Sequence, residues 1–94
     1  MTKDKQDFQL LVFSATWCGK CRDIVPKIQE KVHCQYIDVD NNQAFTQSYN
    51  IKELPTFVLE WDNQEQGSLD VLEGPSSYQE VLGWLQTKGV NVDD

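Results

Sequence analysis

The spacing of apolar residues alternates along the chain between the period typical of strands and the period typical of helices. Residues 9–15 are apolar on both faces, as expected for a strand at the centre of a covered sheet. In residues 21–32 the apolar side chains recur at helical spacing on one face, with Pro26 inside the helix. Residues 34–39 predict a second strand, and because a helix joins it to the first, we expect the two strands to be parallel.

Shorter elements follow in the second half of the chain. Residues 43–49 predict a short helix, and the two asparagines just before it are typical capping residues. Residues 56–61 and 68–72 predict two further strands. The polar residues 62–64 are typical of a turn, so we expect these two strands to form a hairpin.

A last helix is predicted after the break at Gly74 and Pro75. Ser77, with Glu80 three residues later, matches a capping box that opens a helix. Four apolar side chains share one face of this helix, namely Tyr78, Val81, Leu82 and Leu85. This alternation of strands and helices predicts a three-layer α/β sandwich, formed by residues 1–94 as one domain.

The charge balance narrows the range of partners. The net charge is −7 and the Lys and Arg side chains are scattered, which argues against nucleic acid or an anionic membrane as a partner. No apolar run approaches the ~20 residues needed to cross a bilayer. The first eight residues lack the apolar core of a secretory signal, and three cysteines, an odd number, argue against a secreted disulfide scaffold. We therefore expect a cytoplasmic protein.

Two cysteines with two residues between them lie where the first predicted strand is followed by the first predicted helix. This spacing lets Cys18 and Cys21 close a small disulfide ring. Backbone N–H groups at the start of the helix, together with the helix dipole, favour the thiolate of Cys18. Because a thiolate attacks disulfides and Cys21 lies within reach of the resulting mixed disulfide, the pair predicts a thiol–disulfide oxidoreductase.

Four landmarks in the chain resemble the thioredoxin family, and they occur in the order and spacing of that family. The resemblance extends over most of the chain, and each landmark has a counterpart in the family pattern. The landmarks are the dithiol motif Trp17-Cys18-Gly19-Lys20-Cys21, the helix-bending Pro26, the turn Leu54-Pro55-Thr56 and the small residue Gly74.

The resemblance implies a role for each residue of the site. Cys18 would be the exposed nucleophile and Cys21 the buried resolving thiol, with a redox-active disulfide between them. The residues that would support the site and bind substrate are Trp17, Gly19, Lys20, Leu54, Pro55 and Gly74.

These supporting roles have physical reasons. Trp17 would form a flat apolar wall beside the sulfur. A cis peptide bond at Pro55 would present the backbone of Leu54 to an extended substrate, and X–Pro bonds adopt the cis form at a cost of only about 0.5–1 kcal/mol. Gly74, which has no side chain, would let another chain approach the groove.

The chain departs from the family pattern at three points, and each departure leads to a separate expectation. The chain lacks room for the strand and helix that usually come first, so we expect a four-stranded sheet of order 2-1-3-4, with strand 3 antiparallel to strand 1, and about three helices. Val12 stands where the family has a buried aspartate that helps to deprotonate the resolving cysteine. Three alternatives follow. Water serves in place of the aspartate, another acid such as Asp23 or Glu53 reaches the site, or the resolving step is slow at neutral pH. Lys20 replaces a proline, and its charge is expected to stabilise the thiolate and raise the redox potential.

A metal-binding site is the main alternative interpretation of the two cysteines. Cys18, Cys21, His33 and Cys34 are all of metal-binding type. However, His33 and Cys34 are adjacent at the start of a predicted strand, so their side chains point to opposite faces. We therefore expect no metal, a surface His33, and a Cys34 that is a small buried apolar residue, with an accessory redox thiol as the alternative.

The resemblance also implies partners. Protein disulfides would be the substrates, and a thioredoxin reductase-like protein or glutathione would be the electron donor. No flavin or nicotinamide motif is present, so we expect no cofactor, and we expect a monomer. Two alternatives stay open, which are an interaction module whose dithiol is idle and a glutaredoxin-like use of glutathione.

Overall fold

A mixed sheet of four strands forms the middle layer of the molecule. The computed structural model describes residues 8–61 and 68–92, so the turn predicted at residues 62–64 lies outside the described residues, as do residues 1–7. In chain order the elements are β1 (Phe8–Ser14), α1 (Gly19–Lys31), β2 (Gln35–Asp38), a short 3-10 helix (Val39–Asn41), α2 (Gln43–Ser48), β3 (Thr56–Trp61), β4 (Ser68–Glu73) and α3 (Tyr78–Thr87).

The strands lie in the order β2-β1-β3-β4 across the sheet. β1 runs parallel to β2 and antiparallel to β3, which is in turn antiparallel to β4. Phe13 is paired with Ile37 on one side and with Thr56 on the other, so the end of β1 that leads into the dithiol motif is held between two strands. The strand order and directions confirm the predicted fold.

Each face of the sheet carries its own apolar core, as the two-sided apolar character of β1 predicts. Leu10 and Val12 belong to the core on the face where α1 and α3 pack, together with Ile28 and Leu85. The core on the opposite face is smaller. It consists of Leu11, Phe13, Ile37 and Val58.

The ends of α1 and α3 follow from their capping residues. α1 begins at Gly19, two residues before the predicted start, because Cys18 already caps it. Ser77 caps α3, and its Oγ accepts a hydrogen bond from the Glu80 N–H at 3.1 Å. The Glu80 carboxylate accepts from the N–H of Ser76 at 2.8 Å, one residue before the partner in a capping box.

α2 begins at Gln43, as predicted, but it lacks the expected side-chain cap. Asn42 is the residue before the helix, but its side chain does not cap it. Its Nδ2 donates to the Asp38 carbonyl oxygen at 2.9 Å instead. The 3-10 helix at Val39–Asn41, which the sequence did not predict, turns the chain back and brings that carbonyl within reach. Among the described helices, none is long and apolar enough to span a bilayer.

Candidate active site

The dithiol lies at the point where the chain leaves β1 and enters α1. The N–H of Cys18 donates to the Ala15 carbonyl oxygen at 3.2 Å, and the Cys18 carbonyl oxygen accepts from the N–H of Arg22 at 3.1 Å. The N–H of Cys21 donates to Cys18 Sγ at 3.2 Å. Because this N–H belongs to the positive end of a helix, the arrangement favours a thiolate on Cys18 once the pair is reduced.

The two cysteines are joined in a disulfide, with their Cα atoms 5.2 Å apart. Cys18 is 9% exposed and Cys21 is 2% exposed. The resemblance implies an exposed Cys18, but its side chain packs in the core cluster of α1 and α3 and is largely covered. Little of Cys18 is therefore open to an incoming disulfide.

Trp17 forms a wall beside this opening, and 65% of its surface is exposed. Its indole Nε1 donates to Asp40 Oδ2 at 2.9 Å. Asp40 lies in the 3-10 helix after β2, where its N–H donates to Asp38 Oδ1 at 3.1 Å. A carboxylate far away in sequence therefore orients the indole, and no local sequence signal pointed to Asp40.

The turn before β3, which the resemblance predicts to face the dithiol, lies beside the loop after β4. The Leu54–Pro55 peptide bond is cis, and Leu54 packs against both apolar cores. The N–H of Gly74 donates to the Pro55 carbonyl oxygen at 3.0 Å, which ties the two segments together. Gly74 has a φ of +56°, a backbone conformation that favours glycine.

The space beside Gly74 is not empty. A β-carbon built on Gly74 would overlap Oε1 of Glu53 and lie 3.2 Å from Cδ of the same side chain. The carboxylate at the end of the exposed Glu53 side chain lies in the space through which another chain was expected to approach Gly74. A substrate that passes over Gly74 therefore meets a carboxylate before it meets the backbone.

Among the residues that the structure describes, no carboxylate lies buried near the resolving cysteine. Val12 is fully buried, and within residues 8–61 and 68–92 the only buried polar residues are Ser14 and Thr56. Asp23 is exposed on α1, where its carboxylate pairs with Lys27 at 3.3 Å. Glu53, the other acid considered, lies against Gly74. Of the three alternatives for Val12, the structure favours water or slow resolution.

Gly19 and Lys20 lie in the exposed first turn of α1. A β-carbon on Gly19 would meet no heavy atom within 4 Å, so packing does not require glycine at this position. Lys20 makes no ion pair with any residue that the structure describes, and its charge is available at the mouth of the site.

The family model named Thioredoxin matches residues 1–87. The chain belongs to the thioredoxin family. It is 30% identical over 88 residues to a thioredoxin of Staphylococcus aureus, a match that covers 86% of this chain and 85% of that protein. It is 42% identical over 64 residues to thioredoxin-2 of Pyricularia oryzae, a match that covers 62% of this chain and 37% of that protein.

Solved thioredoxin structures share the fold. The structure of Fasciola hepatica thioredoxin is similar with a TM-score of 0.70 and 28% identity, over 88% of this chain and 82% of that chain. The present chain spans 37% to 54% of the length of three relatives, from Pyricularia oryzae, Drosophila melanogaster and Aspergillus fumigatus.

The residues of the alternative metal site lie apart in this thioredoxin-family chain. Cys18 and Cys21 are at the start of α1, whereas His33 and Cys34 come after its end. His33 is exposed, and Cys34 is half-buried, with burial raising the pKa of its thiol to about 11. The described residues contain no group of three or more side chains suited to hold a metal ion.

Proposed function

We propose that this chain is a thiol–disulfide oxidoreductase that acts on protein disulfides. The observation that carries the proposal is the hydrogen bond from the Cys21 N–H to Cys18 Sγ at the N-terminus of α1. That bond stabilises the attacking thiolate and holds the resolving thiol beside it.

The reaction proceeds in two exchanges. The Cys18 thiolate attacks one sulfur of a substrate disulfide, forms a mixed disulfide with it and releases the other substrate sulfur as a thiolate. The Cys21 thiolate then attacks Cys18 Sγ and displaces the remaining substrate thiolate. The substrate gains two electrons, and the chain is left with a Cys18–Cys21 disulfide, the state in which the pair is found here.

The oxidised pair must then be reduced by another thiol. The same exchange runs in reverse when a dithiol donor attacks the disulfide, which suits a reductase-like protein or the glutathione pool in a reducing cytoplasm. Substrates would dock in the groove between Trp17 and the wall formed by Leu54, Pro55 and Gly74. We propose that the chain works as a monomer.

Reduction of insulin by dithiothreitol tests this function. We expect the wild-type chain to accelerate precipitation of the insulin B chain, and Cys18→Ser to abolish the acceleration. Cys34→Ser is the matched control, because Cys34 lies away from the dithiol, and it should react as the wild type does. Equal rates for the wild type and Cys18→Ser would refute the proposal and indicate an interaction module with an idle dithiol.

A further inference from the structure

Glu53 lies in the turn that would form one wall of the proposed groove, and the proposed exchange reaction does not use it. It directly precedes the Leu54–Pro55 turn, and its carboxylate fills the space beside Gly74. The residue is exposed, and its side chain makes no ion pair with any residue that the structure describes. An unpaired carboxylate therefore faces solvent on the wall of the groove.

Hydrogen bonds fix the backbone on both sides of the contact between Glu53 and Gly74. The Thr56 hydroxyl donates to the Glu53 carbonyl oxygen at 2.5 Å, and Thr56 is fully buried. The Gly74 N–H, bonded to the Pro55 carbonyl oxygen, fixes the partner loop against the same turn. Both sides of the contact between Glu53 and Gly74 are thus anchored to the sheet.

The other charges on this wall do not neutralise Glu53. Glu73 ends β4 directly before Gly74, is exposed, and adds a second carboxylate. Lys52 precedes Glu53, but the two side chains form no ion pair. The Asp40 carboxylate accepts the hydrogen bond from Trp17. Glu53 and Glu73 therefore place two carboxylates beside Gly74, while Lys20 contributes a positive charge at the mouth of the site.

We propose that Glu53 is a specificity-determining residue that selects disulfides flanked by Lys or Arg. The inference rests on the proposed function, since it concerns the substrates of that same site. A cationic side chain beside the substrate disulfide pairs with the Glu53 carboxylate as the peptide crosses Gly74. An acidic side chain at the same place is repelled. Ion pairs at the rim of an interface mainly change the rate of association, and they weaken as the salt concentration rises.

The test compares two peptide disulfides that differ only in having Lys or Gln on both sides of the reactive cysteine. At low salt we expect the wild type to favour the Lys peptide by about threefold in kcat/KM, as an exposed ion pair allows. In Glu53→Gln, which keeps the size of the side chain, the ratio should fall towards one. In Glu53→Lys the preference should reverse.

Glu30→Gln is the matched control. It removes the same charge from an exposed position near the far end of α1, so the preference should persist. The inference is wrong if Glu53→Gln keeps the wild-type ratio, or if Glu30→Gln lowers it as much, since general charge would then explain the preference. If the wild type reduces neither peptide, the proposed function itself fails, which is a separate outcome.

Discussion

In the proposed reaction Cys21 acts from inside the core, and its surroundings should set the rate of the second exchange. The residue is almost fully buried, and Val12, also buried, stands where the family resemblance implies an acid. Burial among apolar groups disfavours a charged thiolate, and no buried carboxylate among the described residues can take the proton. The second exchange should therefore be slower than the first at neutral pH.

We predict that the mixed disulfide on Cys18 has a lifetime that depends on pH. Because only the thiolate of Cys21 attacks, the lifetime should be shorter at pH 9 than at pH 7. Acid quenching followed by mass spectrometry of the intact chain measures the adduct over time. Cys21→Ser should retain the adduct at every pH, and a wild-type lifetime equal at pH 7 and pH 9 would contradict the prediction.

At the scale of elements, Tyr49 connects the end of α2 to β3. Its hydroxyl donates to the Glu60 carboxylate, and its ring centroid lies 5.3 Å from that of Phe13 and 5.0 Å from that of Phe45. Burial, the hydrogen bond and the negative charge of Glu60 raise the pKa of Tyr49 to about 12. The folded state thus prefers the neutral phenol more strongly than the unfolded chain does.

This preference gives a testable dependence on pH. Since the pKa of Tyr49 is higher in the folded state, its contribution to stability is complete below about pH 10 and is lost as the pH rises towards 12. Of the three tyrosines, Tyr49 should ionise last when absorbance at 295 nm is followed.

Tyr49→Phe should remove this last step and flatten the loss of stability above pH 10, as measured by urea unfolding. Tyr36→Phe is the control, because Tyr36 is exposed on β2, and it should leave the step in place. A last step that survives in Tyr49→Phe would contradict the assignment.

Most elements were predictable because their signals are local. The apolar period of residues 9–15 and the pairing of Ser77 with Glu80 each lie within a few residues of the element that they specify. The start of α2 was predicted correctly, but the expected side-chain cap is absent. The amide of Asn42 instead has a partner in Asp38, before a 3-10 helix that has no clear sequence signature.

Only the part of the site that is local in sequence was predictable from the sequence. The dithiol and its helix N-terminus are adjacent in sequence, so spacing alone indicated their chemistry. The bond between Trp17 and Asp40 joins residues 23 apart, and the contact of Glu53 with Gly74 joins two loops from different strands. Contacts of this kind depend on how the sheet brings segments together, which no local pattern specifies.

At the scale of the whole molecule, the two apolar cores share one strand. Leu10 and Leu11 are neighbours on β1 and equally buried, but they belong to cores on opposite faces of the sheet. Because β1 pairs with both β2 and β3, neither core can be lost without disturbing the other. The molecule should therefore unfold in one step.

We predict that Leu10→Ala and Leu11→Ala each lower the free energy of unfolding by about 2–5 kcal/mol, as buried leucine truncations do. Urea unfolding followed by both fluorescence and circular dichroism should give a single, coincident transition with an unchanged slope for each variant. Gln9→Ala, at an exposed position of the same strand, should have little effect. Separate transitions for the two probes in either variant would show that the cores unfold independently.

The central place of β1 has a consequence for biosynthesis. The strand leaves the ribosome before both of its neighbours, of which β3 is complete only at Trp61, and α3 ends at Thr87. Until then the nascent chain carries an apolar strand with an open edge, the kind of segment that associates with other chains or with chaperones. Translation must therefore pass α3 before the apolar residues of β1 are shielded on both faces.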